Sequence, residues 1–112
     1  MGLTTVSDNA CSFNGFGGII LNSAVNNTIS MNTCDDNPGG GILLYNDPGQ
    51  VGSTGNLVTK NWVCNVAYLD TTQTFGIKEF NQSGDNLIVS NVILNDTAGP
   101  VSLVGTNSSE AP

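Results

Sequence analysis

The sequence predicts an all-β fold in which short parallel strands coil through about four turns, forming one domain over residues 1–112. Three observations carry this expectation. The first is a repeated spelling, N-x-h-x-x-N-x-h with h apolar. It reads Asn27-Thr28-Ile29-Ser30-Met31-Asn32-Thr33-Cys34, then Asn56-Leu57-Val58-Thr59-Lys60-Asn61-Trp62-Val63, then Asn86-Leu87-Ile88-Val89-Ser90-Asn91-Val92-Ile93. A weaker copy runs from Thr4 to Cys11. The second is a set of alternating segments between the copies: Gly18–Asn22, Gly41–Asn46, Gly76–Asn81 and Val101–Gly105. The third is the absence of any sustained helical stripe, with turns rich in Gly, Asn and Asp throughout.

Each element follows from register. Asn9, Asn32, Asn61 and Asn91 fall in phase at intervals of 23, 29 and 30 residues. The flanking apolar positions then form columns: Val6/Ile29/Val58/Ile88, Cys11/Cys34/Val63/Ile93 and Ile19/Ile42/Ile77/Val101. One turn cannot bury its own apolar face, but turns stacked about 4.8 Å apart pair each strand with the strands above and below. A column of inward Asn amides can hydrogen-bond along the stack, and Asn tolerates the left-handed backbone of a bend. Unequal intervals imply loop insertions at Asp47–Gly55 and Asp70–Thr74, which in repeat proteins map to one face, often the binding face. Coils are expected over about residues 3–107, with 108–112 a tail. An uncovered first coil would leave open strand edges, so self-association as a homo-oligomer is expected.

Composition excludes several classes of function. The 112 residues contain 2 Lys, no Arg, no His and 9 Asp plus Glu, for a net charge of −7. Nucleic-acid and anionic-membrane partners are disfavoured, because both require clustered cations. No run approaches the roughly 20 apolar residues of a membrane-spanning helix. Met1-Gly2 opens almost directly into repeat sequence without the features of a signal peptide, so the chain reads as a trimmed domain or a segment of a longer protein.

The repeat, from about Leu3 to Asn107, resembles the right-handed parallel β-helix repeats of pectin-lyase-like and NosD-like proteins. Gln73–Glu79, Asp85–Asn91 and Val104–Ser108 look like the closing coils of such helices. The resemblance implies a right-handed, single-stranded parallel β-helix. It implies little about activity, since the family spans polysaccharide lyases, hydrolases, tailspikes and adhesins.

Candidate chemistry is sparse. Asp35-Asp36 resembles the paired aspartates of polygalacturonases, but adjacent strand residues face opposite ways unless the chain bends, and the sequence also reads as a turn. The Arg that a pectate-lyase mechanism uses as base is missing. Glu79 aligns with Leu44 and Leu103 at an inward phase, where a carboxylate must find hydrogen bonds; turn backbone or Lys78 are the expected partners. Cys11 and Cys34 share an inward phase and come within disulfide reach, with buried thiols as the expectation, whereas Cys64 is expected outward. Trp62, Tyr68, Tyr45 and Phe80 alternate with polar neighbours, as in carbohydrate grooves. No cofactor and no metal are expected: calcium loops are lacking, and the copper binding attached to the NosD-like name calls for His, Cys or Met clusters.

The sequence therefore supports a non-catalytic structural or recognition module of an extracellular, cell-surface or virion protein. Its ligand would be a carbohydrate or protein surface, contacted by Trp62, Tyr68, Asp35, Asp36 and Glu79. The competing reading is a fragment of a polysaccharide-degrading enzyme.

Overall fold

A computed structural model describes residues 3–64, 73–80, 82–94, 99–104 and 108–111. These form thirteen strands and no helix. In chain order they are β1 (Thr5–Ser7), β2 (Ala10–Ser12), β3 (Gly17–Asn22), β4 (Thr28–Ser30), β5 (Thr33–Asp35), β6 (Gly40–Tyr45) and β7 (Leu57–Thr59). Then follow β8 (Trp62–Cys64), β9 (Phe75–Glu79), β10 (Leu87–Val89), β11 (Val92–Leu94), β12 (Gly99–Ser102) and β13 (Ser109–Ala111). Every third strand stacks. The first sheet is ordered β1-β4-β7-β10-β13, the second β2-β5-β8-β11 and the third β3-β6-β9-β12, with parallel pairing throughout. This is a three-faced parallel β-helix of four turns and the start of a fifth. Ser109–Ala111, expected as a tail, instead pair with β10 and extend the first sheet.

The three apolar columns stack in the register that the repeat dictates. Ile29, Ile42, Val58, Val63, Ile77 and Ile88 are wholly buried between the sheets. Val6, Cys11 and Ile19 of the first coil are only partly covered, since among the described residues no further coil stacks on them.

The corners differ from the simplest expectation in two ways. First, the column asparagines are not the left-handed residues. The residue before each one is: Asp8, Met31, Lys60 and Ser90 have φ of 60°, 56°, 57° and 59°. That residue turns the chain, which aims the following amide inward. A left-handed Met or Lys costs roughly 1–2 kcal/mol, and the hydrogen bonds that it sets up offset this. Second, there are three amide ladders where one column was expected. One runs Asn9→Asn32→Asn61→Asn91 with Nδ2···Oδ1 distances of 3.0, 3.0 and 2.9 Å. Another runs Asn27→Asn56→Asn86 at 3.1 and 3.0 Å. The third runs Asn14→Asn37→Gln73 at 3.1 and 3.4 Å. The backbone N–H of each upper residue donates to the same Oδ1 or Oε1. One side-chain oxygen thus satisfies two donors of the coil above, and buried corner backbone has few other routes to satisfaction.

The Cys11/Cys34 column carries a pH signature. Burial pushes the Cys34 thiol from 9.0 up to about 12, with the contact to Cys11 and the charge of Asp35 adding to the shift. The folded state therefore holds this proton more tightly than the unfolded chain does. The associated stability is fully present below about pH 9 and is lost as pH rises toward about 12. The expected slope is about 1.4 kcal/mol per pH unit over that window. Urea unfolding under reducing conditions at neutral and alkaline pH should show this loss relative to Cys34→Val, and parallel pH curves for the two proteins would contradict it.

Candidate recognition site

The outer face of the third sheet carries a second apolar layer. Along β3, β6 and β9, Ile19, Ile42 and Ile77 point inward, so their neighbours Ile20, Leu43 and Lys78 form an outward column. Leu43 is nevertheless fully buried and stands apart from the core cluster. The layer around it is aromatic. Tyr45 and Phe80 meet edge-to-face with ring centroids 4.9 Å apart, and Phe16 lies 6.5 Å from Tyr45 and 6.4 Å from Phe80. Lys78 places its Nζ 4.9 Å from the ring centroids of both Phe75 and Phe80. Such cation–π contacts are worth about 0.5–1 kcal/mol each at exposed sites.

Beside this cluster is a cleft of ≈ 370 Å³ lined by Tyr45, Asn46, Pro48, Gly49, Phe80 and Gln82. Small-molecule pockets begin at about 300 Å³. The loop expected as an insertion forms one wall. Gln50 N–H donates to the Asp47 carbonyl at 2.9 Å, closing a turn in which Gly49 has φ of 80°. Asn22 Nδ2 donates to Asp47 Oδ2 at 2.9 Å, and Ser23 Oγ to the Val51 carbonyl at 2.6 Å, so the preceding coil braces the loop. Asn46 Nδ2 donates to the carbonyls of Asp47 and Gln50, both at 3.3 Å, while its Oδ1 accepts no hydrogen bond from the described residues. Aromatic faces with amides beside them suit a ligand that combines C–H faces and hydroxyls.

The structure separates the residues expected to act together. Trp62 is about half exposed, as expected, but belongs to the second sheet between Thr33 and Val92. Tyr68 lies outside the described residues. Asp35 ends β5, half-buried, and the chain bends at Asp36, where φ is 55° and the side chain is buried. Glu79 is inward and fully buried, but neither Lys78 nor turn backbone is its partner. Oε2 accepts from Ser108 Oγ at 2.6 Å and Asn86 Nδ2 at 3.3 Å. Asn86 N–H donates to Ser108 Oγ at 3.1 Å. Ser108 and Glu79 thus replace the amide oxygen that a further coil would supply, and they cap the Asn27 ladder. Cys64, expected outward and open, is buried; an outward strand position can still be covered from outside the sheet. Sequence reasoning picked out Tyr45 and Phe80 but missed Phe16, Phe75 and Lys78. The signal available was register: an inward Ile42/Ile77 column makes its neighbours one outer patch.

The protein-family model described as periplasmic copper-binding protein (NosD) matches residues 2–109. The chain belongs to the NosD family. No curated protein and no solved structure matches it. The family description raises copper, and this NosD-family chain's donors do not fit it. The sequence has no His, and among the described residues no three His, Cys, Asp or Glu side chains come together. Cys34 keeps its proton well above neutral pH, whereas a thiolate is the ligand form. Among the described residues no pair of carboxylates lines the aromatic cleft in the manner of a glycoside hydrolase: Glu79 faces the interior and Asp35–Asp36 end a strand of another sheet.

Proposed function

We propose that this NosD-family β-helix is a non-catalytic recognition module of the periplasmic or extracellular space, and that its cleft at Tyr45 and Phe80 binds neutral carbohydrate. The observation that supports this reading best is the edge-to-face Tyr45–Phe80 pair lining a cleft with Asn46 and Gln82 at its rim. Aromatic rings take the apolar face of a sugar, and amides exchange hydrogen bonds with its hydroxyls. The net charge of −7 argues against long polyanions, whose repulsion a single lysine on this face cannot offset.

A glycan array followed by calorimetry tests the reading. Tyr45→Ala should weaken binding of the best neutral glycan by about tenfold or more, the scale set by losing one aromatic contact. Trp62→Ala, on another face, should leave binding unchanged. Equal losses in both variants, or no glycan bound, would remove the proposal. Reducing ends released from a polysaccharide would favour the enzyme-fragment reading in its place.

A further inference from the structure

We propose that Cys11 and Cys34 form a redox-active pair, oxidised to a disulfide that clasps the first coil of the helix to the second. The two residues are register partners on β2 and β5, which are adjacent parallel strands of the second sheet. Strand spacing puts their Cα atoms about 4.8 Å apart, inside the range of about 4.4–6.8 Å that a disulfide spans. Both side chains point inward in one column, Cys34 within the apolar core and Cys11 packed against it. Parallel side chains in register leave the Cβ atoms also about 4.8 Å apart, against the roughly 3.5–4.5 Å of a disulfide, so closure draws β2 inward by up to about 1 Å; β2 can yield because, among the described strands, it pairs on one side only.

The pair is asymmetric in a way that sets the order of events. Cys11 is partly exposed, and Cys34 is fully buried. An oxidant therefore meets Cys11 first. With a small-molecule disulfide, the Cys11 thiolate attacks one sulfur, the small S–S bond breaks, and one small thiol leaves, giving a mixed disulfide at Cys11. Cys34 then gives up its proton to the departing thiolate and attacks Cys11 Sγ. The second small thiol leaves, and the Cys11–Cys34 bond remains. Two protein thiols are oxidised, and one small disulfide is reduced to two thiols. Burial holds the Cys34 proton tightly, so the second step is the slow one, and the register that sets the two residues side by side makes it possible. The consequence is mechanical. Among the described residues the first coil is held by one neighbouring coil and a half-covered core; the bond ties it covalently to the second coil.

Oxidised glutathione is the probe, followed by tryptic mass mapping. Lys60 and Lys78 are the only tryptic sites, so Cys11 and Cys34 share the fragment ending at Lys60, while Cys64 lies in the next. The folded wild type should show a transient glutathione adduct on the first fragment. That adduct should convert to a loss of two hydrogens confined to the same fragment, reversed by dithiothreitol. Cys34→Ser should stop at the adduct, and Cys11→Ser should form none. The oxidised protein should melt about 5 °C or more above the reduced one. A persistent adduct in the wild type, no reaction, or a disulfide-linked dimer would each overturn the proposal. Wild-type mapping alone decides the matter should either variant fail to fold.

Discussion

Asn61→Ala destabilises the protein by about 4 kcal/mol, measured by urea unfolding, whereas Asn9→Ala costs under about 1 kcal/mol. The difference follows from what each amide does. Asn61 Oδ1 accepts from both the N–H and the Nδ2 of Asn32, at 3.0 Å each. Its Nδ2 donates to the Ile29 carbonyl and to Asn91 Oδ1, both at 2.9 Å. All of this takes place at a residue only 1% exposed. Alanine deletes four hydrogen bonds and strands the backbone N–H of buried Asn32. Each buried group left unsatisfied costs about 1–3 kcal/mol. Asn9 is exposed, and among the described residues its Oδ1 accepts no bond from another ladder residue. Against a total stability of about 5–15 kcal/mol, the Asn61 loss is decisive. Asn61→Asp is the informative companion, since it keeps the acceptor and removes the donor. A loss under about 1 kcal/mol for Asn61→Ala would show that the ladder is incidental to the fold.

Gly52→Ala has a comparable effect through packing alone, about 3 kcal/mol or more. A methyl group at Gly52 would fall on the backbone of Gln82 and Ser83 in the next coil, and backbone cannot swing aside as a flexible side chain does. The coils would have to part where Ser53 N–H donates to Ser83 Oγ at 3.0 Å and Gly84 N–H to the Ser53 carbonyl at 3.2 Å. Two controls isolate the cause. Gly49→Ala meets open space but sits at φ of 80°, so it costs about 1 kcal/mol of backbone strain. Gly15→Ala meets open space without that strain and should be close to neutral. Because Gln82 lines the aromatic cleft, Gly52→Ala should also weaken glycan binding, even at temperatures where the variant remains folded. Thermal melts of the three variants check the order, and a Gly52→Ala midpoint equal to that of Gly15→Ala would refute the packing argument.

Much of the architecture was legible in the repeat because stacking is a one-dimensional rule. When like residues must lie over one another, their sequence interval is the coil length, and Ile29, Val58 and Ile88 are aligned before any coordinates exist. The Asn27/Asn56/Asn86 ladder uses the first Asn of each repeat and was equally periodic, whereas the third ladder was harder to see. Asn14, Asn37 and Gln73 share no fixed spacing and change residue type, because loop insertions fall between them. Cys64 and Leu43 were misjudged or overlooked for a single reason. Alternation says which way a strand residue points, but whether its outer side is covered depends on chain that is distant in sequence. Glu79 shows the same limit: its inward phase was readable, yet its partners Asn86 and Ser108 arrive from other coils.

The sequence by itself determined the coil and its period, the inner apolar columns and the inward phase of Asn9, Asn32, Asn61 and Asn91, since strand alternation and vertical stacking are local, periodic constraints. Only the tertiary structure decided that Phe16, Tyr45, Phe75 and Phe80 gather on one outer face while Trp62 stands on another. Register alone sets Tyr45 beside Phe80, but which further side chains join them is set by the angle between sheets and by the path of the inserted loop, and neither leaves a periodic trace in the chain.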